Sequence, residues 1–288
     1  MNFEQVEVSG IIKIMFLLNW SIAEFVFIFI LGLCVGSFLN VVIYRTWLAK
    51  GKGFVWGRSF CDHCKKTLKW FDNIPLLSFM ILKGKCRYCK KKISLQYPLV
   101  EFATGLLFVF VWVMLGQKCI SGSQCFLMMI FYCWMVAALV AVFVSDLRYR
   151  IIPDEIIFPS GLLILLIRLL GTFFGFSIDF GGGILGAVLS SLGAGLFFLI
   201  LIRITKGKGM GMGDVKYVVF MGLLLGWPKV LVGLFLAFLT GAMVGVILIL
   251  TGRRHFGEQI AFGPYLALST FIALFWGQQI FDAYIKLL

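Results

Sequence analysis

Two aspartates stand out as groups that could do chemistry in a chain with few polar residues. Asp214 closes a glycine-rich break, Gly209-Met210-Gly211-Met212-Gly213-Asp214, set between two apolar stretches. Asp146 closes the apolar run Ala141-Val142-Phe143-Val144-Ser145-Asp146. An ionisable group at membrane depth is costly and marks a functional site by default. Asp146 also ends a helix, where the dipole disfavours an acid. Such breaches of a local rule tend to fall at functional sites. Two carboxylates at one membrane face suit an aspartyl hydrolase. Like charges close together do not both ionise easily, so one acid keeps a proton and the other does not. The ionised acid takes a proton from water, and the protonated one polarises the scissile carbonyl. The dipole at a helix start, with Lys216 nearby, favours the charged form of Asp214. Asp146 is therefore expected to hold the proton. No serine or cysteine with a nearby histidine competes. Of the two histidines, His63 reads as a bystander and His255 as a surface residue. Asp154 follows Pro153 and reads as a helix cap. Capping alone is also the rival reading for Asp214.

Four thiols form the second constellation. Cys61-x-x-Cys64 is followed, after twenty-one residues, by Cys86-x-x-Cys89. Two pairs at this spacing read as a four-thiolate zinc ribbon. The segment 45–98 is only about fifty residues long and does not fold well on its own core, so metal would supply its folding energy. All four positions are filled, which leaves no open site for water and makes the zinc structural. A redox pair is the rival reading. Cys119 and Cys125 lie on the opposite side of the membrane and are candidates for a disulfide. Cys34 and Cys133 sit in apolar runs and read as packing residues.

These groups need a membrane scaffold to hold them. The chain has 288 residues, of which 61% are apolar and 14% charged, too little charge for a soluble protein of this size. Eight apolar runs are candidate spans: 22–44, 99–115, 124–145, 156–175, 181–204, 215–227, 229–251 and 261–285. The sixth is short. At about 1.5 Å per residue it reaches only about 18 Å, against about 30 Å of bilayer core. The fold class is thus all-α and polytopic, with a zinc ribbon between the first two spans. Residues 1–44 form an N-terminal segment and first span, 45–98 the zinc loop, and 99–288 a seven-helix core.

The net charge of +13 is unevenly placed, with thirteen Lys and Arg between Arg45 and Lys92. By the positive-inside rule this loop is cytoplasmic and both termini are outside. Asp146 and Asp214 then share the cytoplasmic side. The excess charge reads as a topology signal and a contact with anionic lipid headgroups. The loop has no nucleic-acid-binding motif. Gly32-x-x-x-Gly36 is a seam for close helix approach, as are Gly182, Gly186, Ser190 and Ala194, and Gly233, Ala237, Gly241 and Gly245. Asn40 needs a partner on another helix. Glu101 falls in a first helical turn, where the dipole favours it. Arg168, inside a span, has no explanation at this level.

Gly36-Ser37-Phe38-Leu39-Asn40-Val41-Val42-Ile43-Tyr44-Arg45, the two cysteine pairs and Asp72-Asn73-Ile74-Pro75 belong to one ordered pattern. Tyr97 through Glu101, Asp146 through Ile152-Pro153-Asp154, and Gly211-Met212-Gly213-Asp214-Val215-Lys216 complete it. The pattern resembles the bacterial type IV prepilin leader peptidases. The resemblance implies a bifunctional inner-membrane enzyme. It would cut the short basic leader of type IV prepilins or type II secretion pseudopilins after a glycine. It would then methylate the new N-terminus, usually phenylalanine, with S-adenosylmethionine. The family's catalytic aspartates map onto Asp146 and Asp214. Gly84 and Lys85 match positions associated with methylation. The chain carries no glycine-rich dinucleotide fingerprint for the cofactor. Two alternatives share parts of the pattern: a presenilin-like intramembrane protease without methyl transfer, and a proton- or ion-coupled transporter with a zinc-ribbon loop. Nothing in the sequence sets an oligomeric state.

Overall fold

The structure, a computed structural model, describes residues 22–49, 57–116, 123–174, 183–207, 210–252 and 261–287. Cys119, Gly182, Gly209 and His255 lie outside them. The described residues are almost entirely helical. They form α1 (Ile22–Ala49), α2 (Leu77–Ile81), α3 (Gln96–Gly116), α4 (Ser123–Tyr149), α5 (Asp154–Phe174), α6 (Ile184–Ile204), α7 (Met212–Leu225), α8 (Lys229–Leu250) and α9 (Gly263–Leu287). Among them there is no strand, only the antiparallel bridges Phe60 to Thr67 and Lys85 to Lys92. Each of the eight apolar runs holds a helix, but six are long and apolar enough to cross a membrane. α7 has 14 residues, and α9 has 25 but is less apolar.

The chain forms two compact units. Unit 1 comprises Met1–Arg45 and Gly53–Ala137; unit 2 comprises Thr46–Lys52 and Ala138–Leu288. In unit 1 the Gly32–Gly36 seam does what its spacing predicts. A Cβ at either glycine would lie 2.7 Å from a backbone Cα of α3, that of Gly105 or Glu101. Only glycine allows this approach.

Unit 2 is built around the short helix α7, which packs against α5, α6, α8 and α9. Tyr217, Val218, Met221 and Leu224 are fully buried. The close contact with α6 comes from Gly222, where a Cβ would lie 2.5 Å from Ser191 Cα. Gly195 is the second contact, 2.7 Å from Val219 by the same measure. The approach therefore falls one residue off the expected stripe; Ser190 and Ala194 are buried beside it, while Gly186 faces open space. On α8 the expected stripe does pack, with Gly233 toward Met221 and Gly241 toward Phe262. Arg168 of α5 finds its explanation here. Its Nε donates to Leu223 O at 3.1 Å, and a terminal nitrogen donates to Leu224 O at 3.3 Å. It satisfies carbonyls that the end of α7 would leave orphaned.

Candidate active site and metal centre

Asp146 stands in the last turns of α4. The chain turns sharply after it. Arg150 donates its N–H to Asp146 O at 2.9 Å and adopts φ 54°, a left-handed conformation uncommon outside glycine. Ser145 Oγ donates to Ile151 O at 2.8 Å and closes the same turn. The Asp146 carboxylate is buried and accepts the N–H of Gly263 at 2.8 Å. Gly263 opens α9, where a first-turn N–H has no partner within its own helix.

Asp214 is the third residue of α7. Its Oδ2 accepts the N–H of Gly211, the N-cap residue, at 2.9 Å. Asp214 is therefore not the N-cap itself: it lies inside the helix and caps it by reaching back to Gly211, and it has a second feature. Asp146 and Asp214 line one cavity of about 210 Å³ with Arg150, Ile152, Met210 and Phe262. Gly213 packs on Ile152, 3.4 Å from where its Cβ would be. Phe262 supplies an apolar wall, backed by Phe238 at 5.3 Å between ring centroids.

Two sequence expectations change. The dipole asymmetry between the carboxylates disappears, because each accepts one backbone N–H from the start of a helix. For Asp146 that helix is α9, 117 residues away in sequence. Lys216 does not serve Asp214. Its Nζ lies 2.6 Å from Asp154 Oδ2 and over the Phe158 ring. Asp154, the first residue of α5, thus joins α5 to α7 and is not among the cavity's lining residues. Gly263 and Phe262 carry no such signal in the sequence, and Arg150, itself exposed, lines the cavity. Gly263-Pro264 does signal a helix start, but nothing local says which acid that start receives.

In unit 1 the four thiols meet. The sulfurs of Cys61, Cys64, Cys86 and Cys89 lie within 4.8 Å of one another, and His63 is not among them. The two pairs are built alike. Cys61 N–H donates to Lys66 O, and Lys65 N–H, at φ 56°, returns to Cys61 O. Cys86 and Lys91, with Lys90 at φ 59°, repeat the pattern. The Cys89 amide points at the Cys86 sulfur and holds its thiol down to about 7, against the opposing effect of burial. Burial pushes the Cys61 thiol up to about 11, although the amides of Cys64 and His63 face its sulfur. Asp72 anchors the second knuckle through Arg87 Nε at 2.7 Å. Gly84 has φ 67° and donates its N–H to Phe79 O at 2.9 Å; Lys85 is exposed. Cys125 is disulfide-bonded, while Cys34 and Cys133 are free.

Comparison with known proteins places this geometry. A model of the Bacterial Peptidase A24 N-terminal domain matches residues 30–115, and one of the Type IV leader peptidase family matches 129–246. Proteins named "Prepilin leader peptidase/N-methyltransferase" are similar over most of their length. The one from Aeromonas hydrophila is 35% identical over 285 residues, covering 91% of this chain and 93% of its own. The one from Stutzerimonas stutzeri is 33% identical over 278 residues, covering 89% and 92%. That from Aeromonas salmonicida is 34% identical over 292 residues, covering 93% and 96%. No solved structure matches the chain. None of these relatives lends support to a transporter or to a protease without methyl transfer. With its N-terminal and peptidase segments both matched in order, the chain belongs to the type IV leader peptidase family.

Proposed function

We propose that this chain is a membrane-bound prepilin leader peptidase and N-methyltransferase, with Asp146 and Asp214 as its hydrolytic pair. The observation that carries the reading is two buried carboxylates from different helices lining one cavity, each fixed by one backbone N–H. One acid is ionised and takes a proton from water. The other is protonated and donates to the scissile carbonyl, which leaves water's oxygen as the nucleophile. The substrates are prepilins or pseudopilins. The zinc loop and the aspartates face the cytoplasm of a bacterial inner membrane, on the strength of the charge pattern.

The thiol cluster fits zinc. A tetrahedral site with bonds of about 2.3 Å has sulfur–sulfur edges of about 3.8 Å, and Cys61 and Cys89 stand 3.8 Å apart. The metal would close the ribbon and take no part in hydrolysis. S-adenosylmethionine supplies an activated methyl group when bound. We assign its site to unit 1 near Gly84 and Lys85 on the strength of the resemblance; Phe79 packs on the left-handed glycine, and the lysine is exposed.

The test uses purified full-length protein with a prepilin and labelled S-adenosylmethionine. Asp146→Asn and Asp214→Asn each abolish leader cleavage while a pre-cleaved peptide is still methylated. Cleavage surviving either change would refute the pair.

A further inference from the structure

Unit 1 holds a buried polar cluster that neither hydrolysis nor zinc binding uses. Glu101, in α3, is 8% exposed, and its Oε2 accepts the N–H of Leu76 at 2.9 Å. Ser37 of α1 is a second hydrogen-bonding neighbour. Asn40, one turn further along α1, is 2% exposed. Its Nδ2 donates to Tyr97 O at 3.1 Å, and its Oδ1 has no partner. Tyr97 is one turn before Glu101 on the same face of α3. A buried carboxylate and an orphaned amide oxygen therefore sit side by side between two helices. Buried polar atoms are almost always paired, and an exception calls for an explanation.

The capacity left unused in the cluster is all acceptor. The carboxylate offers lone pairs beyond those that Leu76 and Ser37 use, Asn40 Oδ1 offers two, and among the described residues no cation is bonded to either. What completes such a site is a compact cationic donor, and a primary ammonium with three N–H groups matches it. The cluster also lies one short helix from Gly84. Leu76 is the N-cap of α2, and Phe79 of α2 is the residue packed on Gly84, 3.0 Å from its Cβ position.

We propose that Glu101 and Asn40 form the acceptor site for a peptide's N-terminal amine, with Glu101 as the base for its methylation. This rests on the methyltransferase reading above. The ammonium gives one proton to the Glu101 carboxylate. The freed nitrogen lone pair attacks the methyl carbon of a sulfonium donor. The carbon–sulfur bond breaks and leaves its electron pair on sulfur. The product is a methylammonium and a neutral thioether, and Glu101 later returns its proton to water.

Glu101→Gln separates this role from a structural one. Glutamine keeps a carbonyl oxygen for the Leu76 N–H but cannot act as a base. The probe is a synthetic apolar peptide beginning with phenylalanine, compared with its N-acetyl form, on the full-length protein in detergent. Without methyl donor, the wild type should bind the free amine about tenfold more tightly than the acetylated peptide, and Glu101→Gln should erase that difference. With donor, methylation should fall by about 10²–10⁴-fold and recover as rising pH deprotonates the amine. Zinc content and leader cleavage serve as folding controls. Asn40→Leu leaves Glu101 and its bond to Leu76 in place, and should lose the amine preference as well. Equal binding of both peptides by the wild type, or normal methylation by Glu101→Gln, would overturn the proposal. If the wild type neither cleaves nor methylates, the functional reading fails, while the binding arm still decides the amine site.

Discussion

Gly263→Ala is the sharpest probe of the aspartate pair, because it adds one carbon beside one carboxylate and replaces neither acid. A Cβ at this position would lie 2.6 Å from Asp146 Oδ2 and 2.9 Å from its Cγ. Ordinary contact begins at 3.4 Å, so the carboxylate or α9 must move by about 0.8 Å. If Asp146 moves, it leaves its place opposite Asp214. If α9 moves instead, the 2.8 Å bond from Gly263 N–H stretches to about 3.6 Å and is lost. Misplacing a catalytic group by about 1 Å costs on the order of 100-fold in rate, or about 2.7 kcal/mol of barrier. The assay is kcat/KM for prepilin cleavage by purified enzyme. Methylation of a pre-cleaved peptide reports on folding, since that activity is assigned to unit 1. Cleavage within threefold of wild type, with normal methylation, would show that Asp146 need not be held where α9 holds it.

Purified protein should contain about one zinc per chain, and replacing any of Cys61, Cys64, Cys86 or Cys89 by serine should release it; metal-free protein prepared without chelators would refute the ribbon. Asp154→Asn should be mild, costing about 0.2–1 kcal/mol of a half-exposed ion pair with Lys216 and leaving cleavage within a few-fold, as a melting curve and rate assay would show. Arg168→Met should cost about 1–3 kcal/mol by unpairing the carbonyls of Leu223 and Leu224, read as a lower Tm; an unchanged Tm would mean the cap contributes nothing.

The sequence made the two aspartates legible because each breaks a rule its neighbours obey, and the thiols because four soft ligands at that spacing have few other uses. The Gly32–Gly36 seam was legible for the same reason: two glycines in an apolar helix serve close approach. What failed was pairing across distance. Lys216 is two residues from Asp214 yet bonds Asp154, 62 residues back, because the start of α7 aims the two side chains to different sides. The proton assignment relied on helix ends read one helix at a time, and α9 supplied a donor no local window contains. Arg168 had no sequence partner because its partners are backbone carbonyls, which carry no residue signal. The small stripe on α6 slipped by one position because Gly222, on the facing helix, chose the line of approach.

The cap on α7 bears on how the protein is assembled in the membrane. Fourteen residues give a helix of about 21 Å, too short to hold a transmembrane position unaided. Arg168 lies in α5, made before α7, and a lone arginine at the centre of a span costs about 2.5–3.5 kcal/mol to insert. Each piece is therefore incomplete when it leaves the ribosome. α5 carries a charge two of whose acceptors are still to be made, and α7 later brings those two carbonyls. Their meeting removes both defects at once. The segment bearing Asp214 is thus secured only after the earlier helices are in place, so a half-made chain would lack the proposed hydrolytic site.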